Sequence, residues 1–295
     1  MRTFVTGASG FIGSAVVPEL IAAGHQVLGL ARSDASASAL AAAGAEVQRG
    51  DLNDLASMRH AAAASDGVIH LGFIHDFNNF EASIRTDLRA IEAMGEVLAG
   101  SNRPFVFASG SLGVSPGHLA TEDIPFNAAA HPRAANAVEA LKLKDRGVRI
   151  SAVRLAPTVH GKGDHGFVKV LVDIARQRGT AGYIGDGTSR WNAVHRLDAA
   201  GLFRLALEKA PAGAIFHGVA EESISQRTIA DLIGRKLGVP VTSIPAEAAG
   251  EHFGWLARFL AMDQPASSAL TRQRLGWKPT HPGLIEDLEL GHYFA

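Results

Sequence analysis

No cysteine occurs among the 295 residues, so disulfides, thiolate nucleophiles and thiolate metal ligands are excluded. Charge of neither sign is in excess. The 28 basic and 29 acidic side chains leave a formal net charge of −1, without the basic surplus that a nucleic-acid backbone requires. Apolar runs are broken by glycine, proline or charge well short of a membrane span. Tyrosine is nearly absent, with only Tyr183 and Tyr293 in the chain. Internal repeats and low-complexity linkers are also missing. An apolar strand begins at residue 2, where a leader would otherwise stand, and a cytoplasmic protein that meets neither membrane nor nucleic acid is expected.

Glycine, by contrast, is plentiful and its placement is informative. The chain opens on an apolar strand that runs into Gly7-Ala8-Ser9-Gly10-Phe11-Ile12-Gly13 and then an apolar helical stretch to Leu20. A strand that hands over to a helix favours glycine at the turn, and a pyrophosphate approaching the backbone favours a second one. A third lets the helix settle closely on the strand. The helix start then offers free N–H groups and a positive dipole end to phosphate. The expected contacts to a dinucleotide are therefore Gly7, Ser9, Gly10, Phe11, Ile12 and Gly13.

The pattern downstream supplies the context that a glycine triplet alone lacks. Apolar runs at 26–30, 45–48, 67–71, 104–108 and 148–155 alternate with helical periods at 36–43, 53–64, 80–98 and 132–144. Alternation of this kind predicts an α/β fold with a Rossmann-type, doubly wound parallel sheet covered on both faces. After Leu155 the texture changes to a loop rich in glycine and histidine, a helix over 167–178 and a strand and turn over 182–191. A helix at 197–208 and a strand at 214–217 are expected to rejoin the main sheet. Short helices follow, one of them capped by Ser225 and stopped by Gly238. The expected organisation is a dinucleotide-binding domain of 1–156 plus about 193–218. A small, discontinuous C-terminal lobe for substrate comprises about 157–192 plus 219–295.

Thr6-Gly7-x-x-Gly10-x-x-Gly13, Gly50-Asp51-Leu52, Val68-Ile69-His70-Leu71, Val194-His195-Arg196-Leu197-Asp198 and Leu275-Gly276-Trp277-x-Pro279 together resemble the extended and atypical short-chain dehydrogenase/reductases. That group includes NAD(P)-dependent epimerases and dehydratases, and the resemblance covers nearly the whole chain. It implies that Asp51 and Leu52 border the adenine, that Leu71, Gly72 and Pro157 line the cofactor site, and that a homodimer is an available assembly. The family's acid/base tyrosine, followed four residues later by lysine, is missing. Its position falls on His131, with Ala135 at the lysine position and Arg133 two residues on. The family's serine falls in Ala108-Ser109-Gly110-Ser111, which makes Ser109 and Ser111 the flanking candidates, and Asp87 stands near the family's structural asparagine.

Cofactor choice is read at the end of the second strand, where Arg32 and Ser33 suit a 2′-phosphate and favour NADP over NAD. Asp34 turning toward the ribose is the competing arrangement. Phe73, His75, His160, Arg190 and Trp191 are the expected substrate contacts. His160, Asp164 and His165 lack the helical spacing of a metal site and read as pocket or loop groups, so no metal is expected. The segment Ser111-Leu112-Gly113-Val114 has no carboxylate for a dehydratase. The favoured activity is NAD(P)H-dependent reduction of a small carbonyl or related substrate. His131 in its imidazolium form is the expected proton donor, alongside Ser109, Ser111 and Arg133. An epimerase-like enzyme and a non-catalytic dinucleotide sensor are the rivals.

Overall fold

The computed structural model describes residues 1–76 and 79–295. Twelve strands are found among them: β1 (Arg2–Thr6), β2 (Gln26–Ala31), β3 (Glu46–Arg49), β4 (Gly67–His70), β5 (Pro104–Gly110), β6 (Arg149–Leu155), β7 (Thr158–His160), β8 (Ala181–Ile184), β9 (Arg190–His195), β10 (Ala214–Gly218), β11 (Glu221–Ser225) and β12 (Val241–Ile244). Seven form one parallel sheet in the order β10-β6-β5-β4-β1-β2-β3. The order reverses between β1 and β4, and in sheets of this kind ligands bind at such a reversal, outside the carboxyl ends of the strands.

Helices cover both faces. On one side lie α1 (Gly13–Ala22), α2 (Asp34–Ala42) and the helix of 196–209, burying Val16, Leu20, Leu40, Leu202 and Phe203 against Val5, Ile69, Val106 and Val153. On the other lie α3 (Leu55–Ala63), α4 (Phe80–Leu98) and α5 (Pro132–Leu141), packed on Phe4, Val68, Phe105, Phe107 and Ile150. Burial from both sides explains why these strands are continuous apolar runs instead of alternating ones. The helical period over 132–144 divides in the structure. α5 stops at Leu141 and a 3-10 turn, Lys142–Arg146, runs to Gly147 at φ +73°.

A second core joins α6 (Phe167–Arg178) and α8 (Gln226–Leu237) to Trp191, Phe253, Leu256, Leu284, Leu288 and Tyr293; the helix of 196–209 between them in the chain is α7 (Arg196–Lys209). Here the sheet pattern is β11-β9-β7, with β12 and β8 as a separate parallel pair. The strand and turn expected over 182–191 are two strands in different sheets, parted by Gly185 and Gly187 at φ +60° and +73°. β11, between the strand at 214–217 and the Ser225 cap, and β12, in the region expected to hold short helices, are short and expose much of their length, so they carry little apolar signal. Among the described residues no helix is long and apolar enough to cross a membrane.

Candidate functional site

β1 enters the glycine turn beside the point where the strand order reverses. Gly7 has φ +65°, and a Cβ on it would lie 2.7 Å from the amide nitrogen of Gly72. Gly13 is closed by the protein too, since its Cβ would lie 2.1 Å from the Gly7 carbonyl oxygen. Gly10 differs. Beyond its chain neighbours, its Cβ would meet only the Gly7 carbonyl oxygen, at 3.1 Å, so the protein leaves the rest of that face open. The Gly10 amide donates to Gly7 at 3.0 Å, and the Gly10 carbonyl accepts from Ser14 at 2.8 Å, which winds the turn into α1. The N-terminus of α1 has no side-chain cap and no acid in its first turn. An open backbone face beside an uncapped helix end fits a pyrophosphate. Ser9 is exposed there, while Phe11 and Ile12 are half-buried.

At the far end of the turn, Leu52 is buried and touches the space a Cβ on Gly72 would occupy. The Leu71 amide donates to Thr6, so Leu71 and Gly72 run directly alongside the turn. Asp51 is exposed and its carboxylate accepts from the Asn53 amide at 2.6 Å. After β2, Arg32 is exposed and forms no ion pair among the described residues. The Ser33 hydroxyl caps α2 by accepting from the Ser36 amide, and Asp34 pairs with Arg49. Asp34 therefore points to a cation of its own in this structure.

A second cluster of aromatic and cationic groups is built by the loop after β4 and the start of α5. The Arg133 guanidinium lies 4.2 Å over the ring of Phe73, which meets His75 at 5.1 Å and Phe80 at 5.9 Å. The ring of Phe80 meets His131 at 5.8 Å. His131 is the N-cap of α5, with Pro132 in the first turn, and its Nδ1 accepts the Arg133 amide at 3.1 Å. An accepting Nδ1 means a neutral ring with its proton on Nε2. Loss of water around the ring, then the charges of Arg133 and Arg258, lower its pKa from the ordinary 6.5. The imidazolium anticipated from the sequence is therefore a minor form at neutral pH. His75 is lowered as well, by burial first and then by Arg133 and His165. Ser109 is buried near the end of β5, on the same side of the strand as Phe105 and Phe107, which pack toward α4 and α5.

Other expected groups are committed elsewhere. The Ser111 hydroxyl is buried and donates to the Asn192 side-chain oxygen at 3.1 Å. Arg190 is clamped by Asp263 at 2.7 Å and 2.9 Å. Two residues expected on the substrate side are interior instead. Trp191 is fully buried, with its indole N–H on the Phe259 carbonyl, because β9 runs through the second core. His160 is fully buried as well, its Nδ1 3.0 Å from Asp287. Pro157 is half-buried in the link from β6 to β7. Tyr293 is buried, donates to Asp164 at 2.8 Å and accepts from the Gly161 amide, while Tyr183 lies on β8 under Arg227. No group of three metal-ligating side chains converges among the described residues.

A model of the NAD dependent epimerase/dehydratase family matches residues 3–217. The chain belongs to this family. It is 50% identical, over the whole of both chains, to an uncharacterized protein of Schizosaccharomyces pombe. It is 29% identical to the 2-alkyl-3-oxoalkanoate reductase of Stenotrophomonas maltophilia, across 81% of this chain and 77% of that one. In structure it is similar to the Thermus thermophilus UDP-glucose 4-epimerase solved with NAD, at a TM-score of 0.76 and 20% identity, over 99% of both chains.

Within this epimerase/dehydratase-family chain, one polar chain of contacts was not read from the sequence. Thr6 Oγ1 accepts from the Gly72 amide at 3.0 Å and lies 2.7 Å from His70 Nδ1. His70 Nε2 is 3.1 Å from Asp87, whose other oxygen accepts from Asn136 at 3.4 Å. A histidine inside the apolar strand Val68-Ile69-His70 was the available signal, because buried polar groups need partners. Arg196, whose guanidinium lies 5.3 Å over Phe11, was also missed.

Proposed function

We propose that the protein is an NAD(P)H-dependent oxidoreductase that reduces a small carbonyl compound, with NADP as the preferred dinucleotide. The reading is carried by the open face of Gly10 beside an uncapped helix, joined through the contacts of Thr6, His70, Asp87 and Asn136 to the helix that starts at His131. The glycine turn suits a pyrophosphate, and His131 with Ser109 suits a polarised carbonyl. Reductase chemistry in a relative, the 2-alkyl-3-oxoalkanoate reductase, supports the same reading by name.

Gly10 and the α1 N-terminus would hold the pyrophosphate, Leu52 and Gly72 would border the adenosine half, and Arg32 would meet a 2′-phosphate. When bound, the dinucleotide supplies hydride. His131, neutral and with its Nδ1 tied to the helix, presents Nε2–H as a hydrogen-bond donor to the developing oxyanion. Ser109 is the second donor, and the proton that completes the alcohol comes from solvent at the exposed mouth where His131 stands. The test is to titrate NADPH and NADH by fluorescence, then to follow absorbance over a panel of aldehydes, ketones, oxo acids and UDP-sugars. NADPH consumption with a carbonyl is expected. Tight cofactor binding with no turnover across the panel would favour a sensor, and UDP-sugar interconversion without net consumption would favour an epimerase.

A further inference from the structure

The cluster formed by the loop after β4 and the start of α5 is rich in cations and aromatic rings. Arg133 lies over Phe73, and Arg258 of the short helix Ala257–Leu260 faces His131. At the glycine turn Arg196 covers Phe11, which meets the ring of His165 at 5.8 Å. The acids near these groups are already engaged. Both oxygens of Asp87 are taken, by His70 and Asn136; Asp164 accepts from Tyr293 and the Gly166 amide; Asp76 accepts from the Asn79 amide. Among the described residues none of them forms an ion pair with Arg133.

Loss of water around Arg133 is costly and is only partly offset by the nearby charge of Asp87, whose oxygens are already bonded elsewhere, and the planar guanidinium fork matches an anion of two coplanar oxygens. The ring of Phe73 fixes its plane. His131 and His75 are held toward their neutral forms, so the fixed positive charge here is that of the guanidiniums. The flat fork, fixed against a ring, suits a planar carboxylate better than a tetrahedral phosphate.

We propose that the substrate's carbonyl stands beside a carboxylate in the same molecule, and that Arg133 is the group that binds this carboxylate. The inference rests on the reductase reading of the site and names the substrate class. Hydride reaches the carbonyl carbon, the oxygen takes the proton, and the carboxylate is unchanged, so an oxo acid becomes a hydroxy acid.

The experiment uses the NADP-loaded protein and two pairs of probes, acetoacetate with ethyl acetoacetate and phenylglyoxylate with its methyl ester. Equilibrium binding is read by calorimetry, and kcat/KM by NADPH absorbance. In the wild type at least one acid should bind roughly tenfold or more tightly than its ester. Arg133→Met should abolish that preference while leaving ester and NADPH affinities within a few-fold, and Arg133→Lys should restore part of it. Inorganic phosphate should compete only weakly. Equal binding of acids and esters in the wild type, a preference that survives in Arg133→Met, or strong competition by phosphate would each overturn the assignment while leaving the reductase reading intact. Failure of the wild type to bind NADPH would overturn both.

Discussion

Gly10 and Gly13 are both part of one glycine motif, yet the structure predicts opposite consequences for alanine at each. At Gly13 the new Cβ would lie 2.1 Å from the Gly7 carbonyl oxygen and 2.7 Å from the Ala8 Cα, both main-chain atoms that cannot yield independently. Overpacking of this kind costs about 1–3 kcal/mol, against a helix-propensity gain of at most about 1 kcal/mol. The loss wins, and Gly13→Ala should lower Tm by several degrees, at roughly 2–4 °C per kcal/mol. At Gly10 the one added contact is 3.1 Å, which a few tenths of an ångström relieve, and the backbone is outside the left-handed region. Stability should therefore stay within about 1 kcal/mol of wild type. NADPH affinity should not. A methyl on the open face displaces the pyrophosphate from charge-assisted backbone hydrogen bonds of about 1.5–3 kcal/mol each, roughly a ten- to hundredfold loss. Thermal melts and NADPH titrations of the two variants separate these effects. Wild-type affinity in Gly10→Ala, or equal loss of Tm in both, would refute the claim that Gly10 is kept for a ligand.

Arg32→Ala should weaken NADPH about ten- to hundredfold while sparing NADH, and equal losses in paired titrations would remove Arg32 from the phosphate site. His131→Phe should lower turnover by about a hundredfold or more with NADPH affinity within a few-fold. Protonation would put a proton on the Nδ1 that accepts from the Arg133 amide and so release the ring from its position, so wild-type activity should be level above neutrality and fall as pH drops through the lowered histidine pKa; a rate that instead rises as the ring protonates would restore the imidazolium. His195 is held down to about 4, by burial first and His160 next, so its contribution to stability is fully present above pH 6.5 and lost as pH falls toward 4. His195→Asn retains a cap for α7 and should flatten Tm against pH in that window, whereas an unchanged slope would assign the acid sensitivity elsewhere. Tyr293→Phe should cost about 1–3 kcal/mol in denaturant melts without changing kcat, and a large loss of kcat in a stable variant would return tyrosine to the chemistry.

What the sequence makes legible is what local pattern controls. Strands such as 67–71 and 148–155 are sealed on both faces, so their apolar runs survive as a readable signal, and the glycine turn is fixed by contacts within a few residues and one neighbouring strand. The smaller sheets lack that signal because β11 and β12 are short and largely polar on their exposed positions. His160 is the clearest case of information that sequence order hides. Set in a loop of glycines and histidines it reads as a pocket group, yet its partner Asp287 is 127 positions away and the pair lies in the interior. Arg190 is similar, since Asp263 arrives from a segment with no visible link to β9. His131, at the entrance to α5, was placed by family register; its neutral tautomer follows only from the observed bond to the Arg133 amide.

The contacts from Thr6 to Asn136 tie the glycine turn to α4 and α5. Suppose Asp87 is ionised and can only accept; His70 then donates from Nε2, and its Nδ1 is left as an acceptor. Thr6 must give its hydroxyl proton to that Nδ1, and its oxygen is free to accept from the Gly72 amide, as the distances of 2.7 Å and 3.0 Å require. Every group in the series is satisfied by this assignment. A protonated His70 would instead present a second donor to the Thr6 oxygen and leave the hydroxyl proton to find another acceptor. The neutral assignment therefore fixes Gly72, which touches the glycine turn, through β4 to Asp87 on α4. Asn136 continues the series to α5, where it also donates to the Ile84 carbonyl, one turn beyond Arg133 and His131. A side chain at position 87 that only accepts is needed to set the direction of the whole series. An amide there could reverse it, which gives a physical reason for aspartate where the resemblance leads one to expect asparagine.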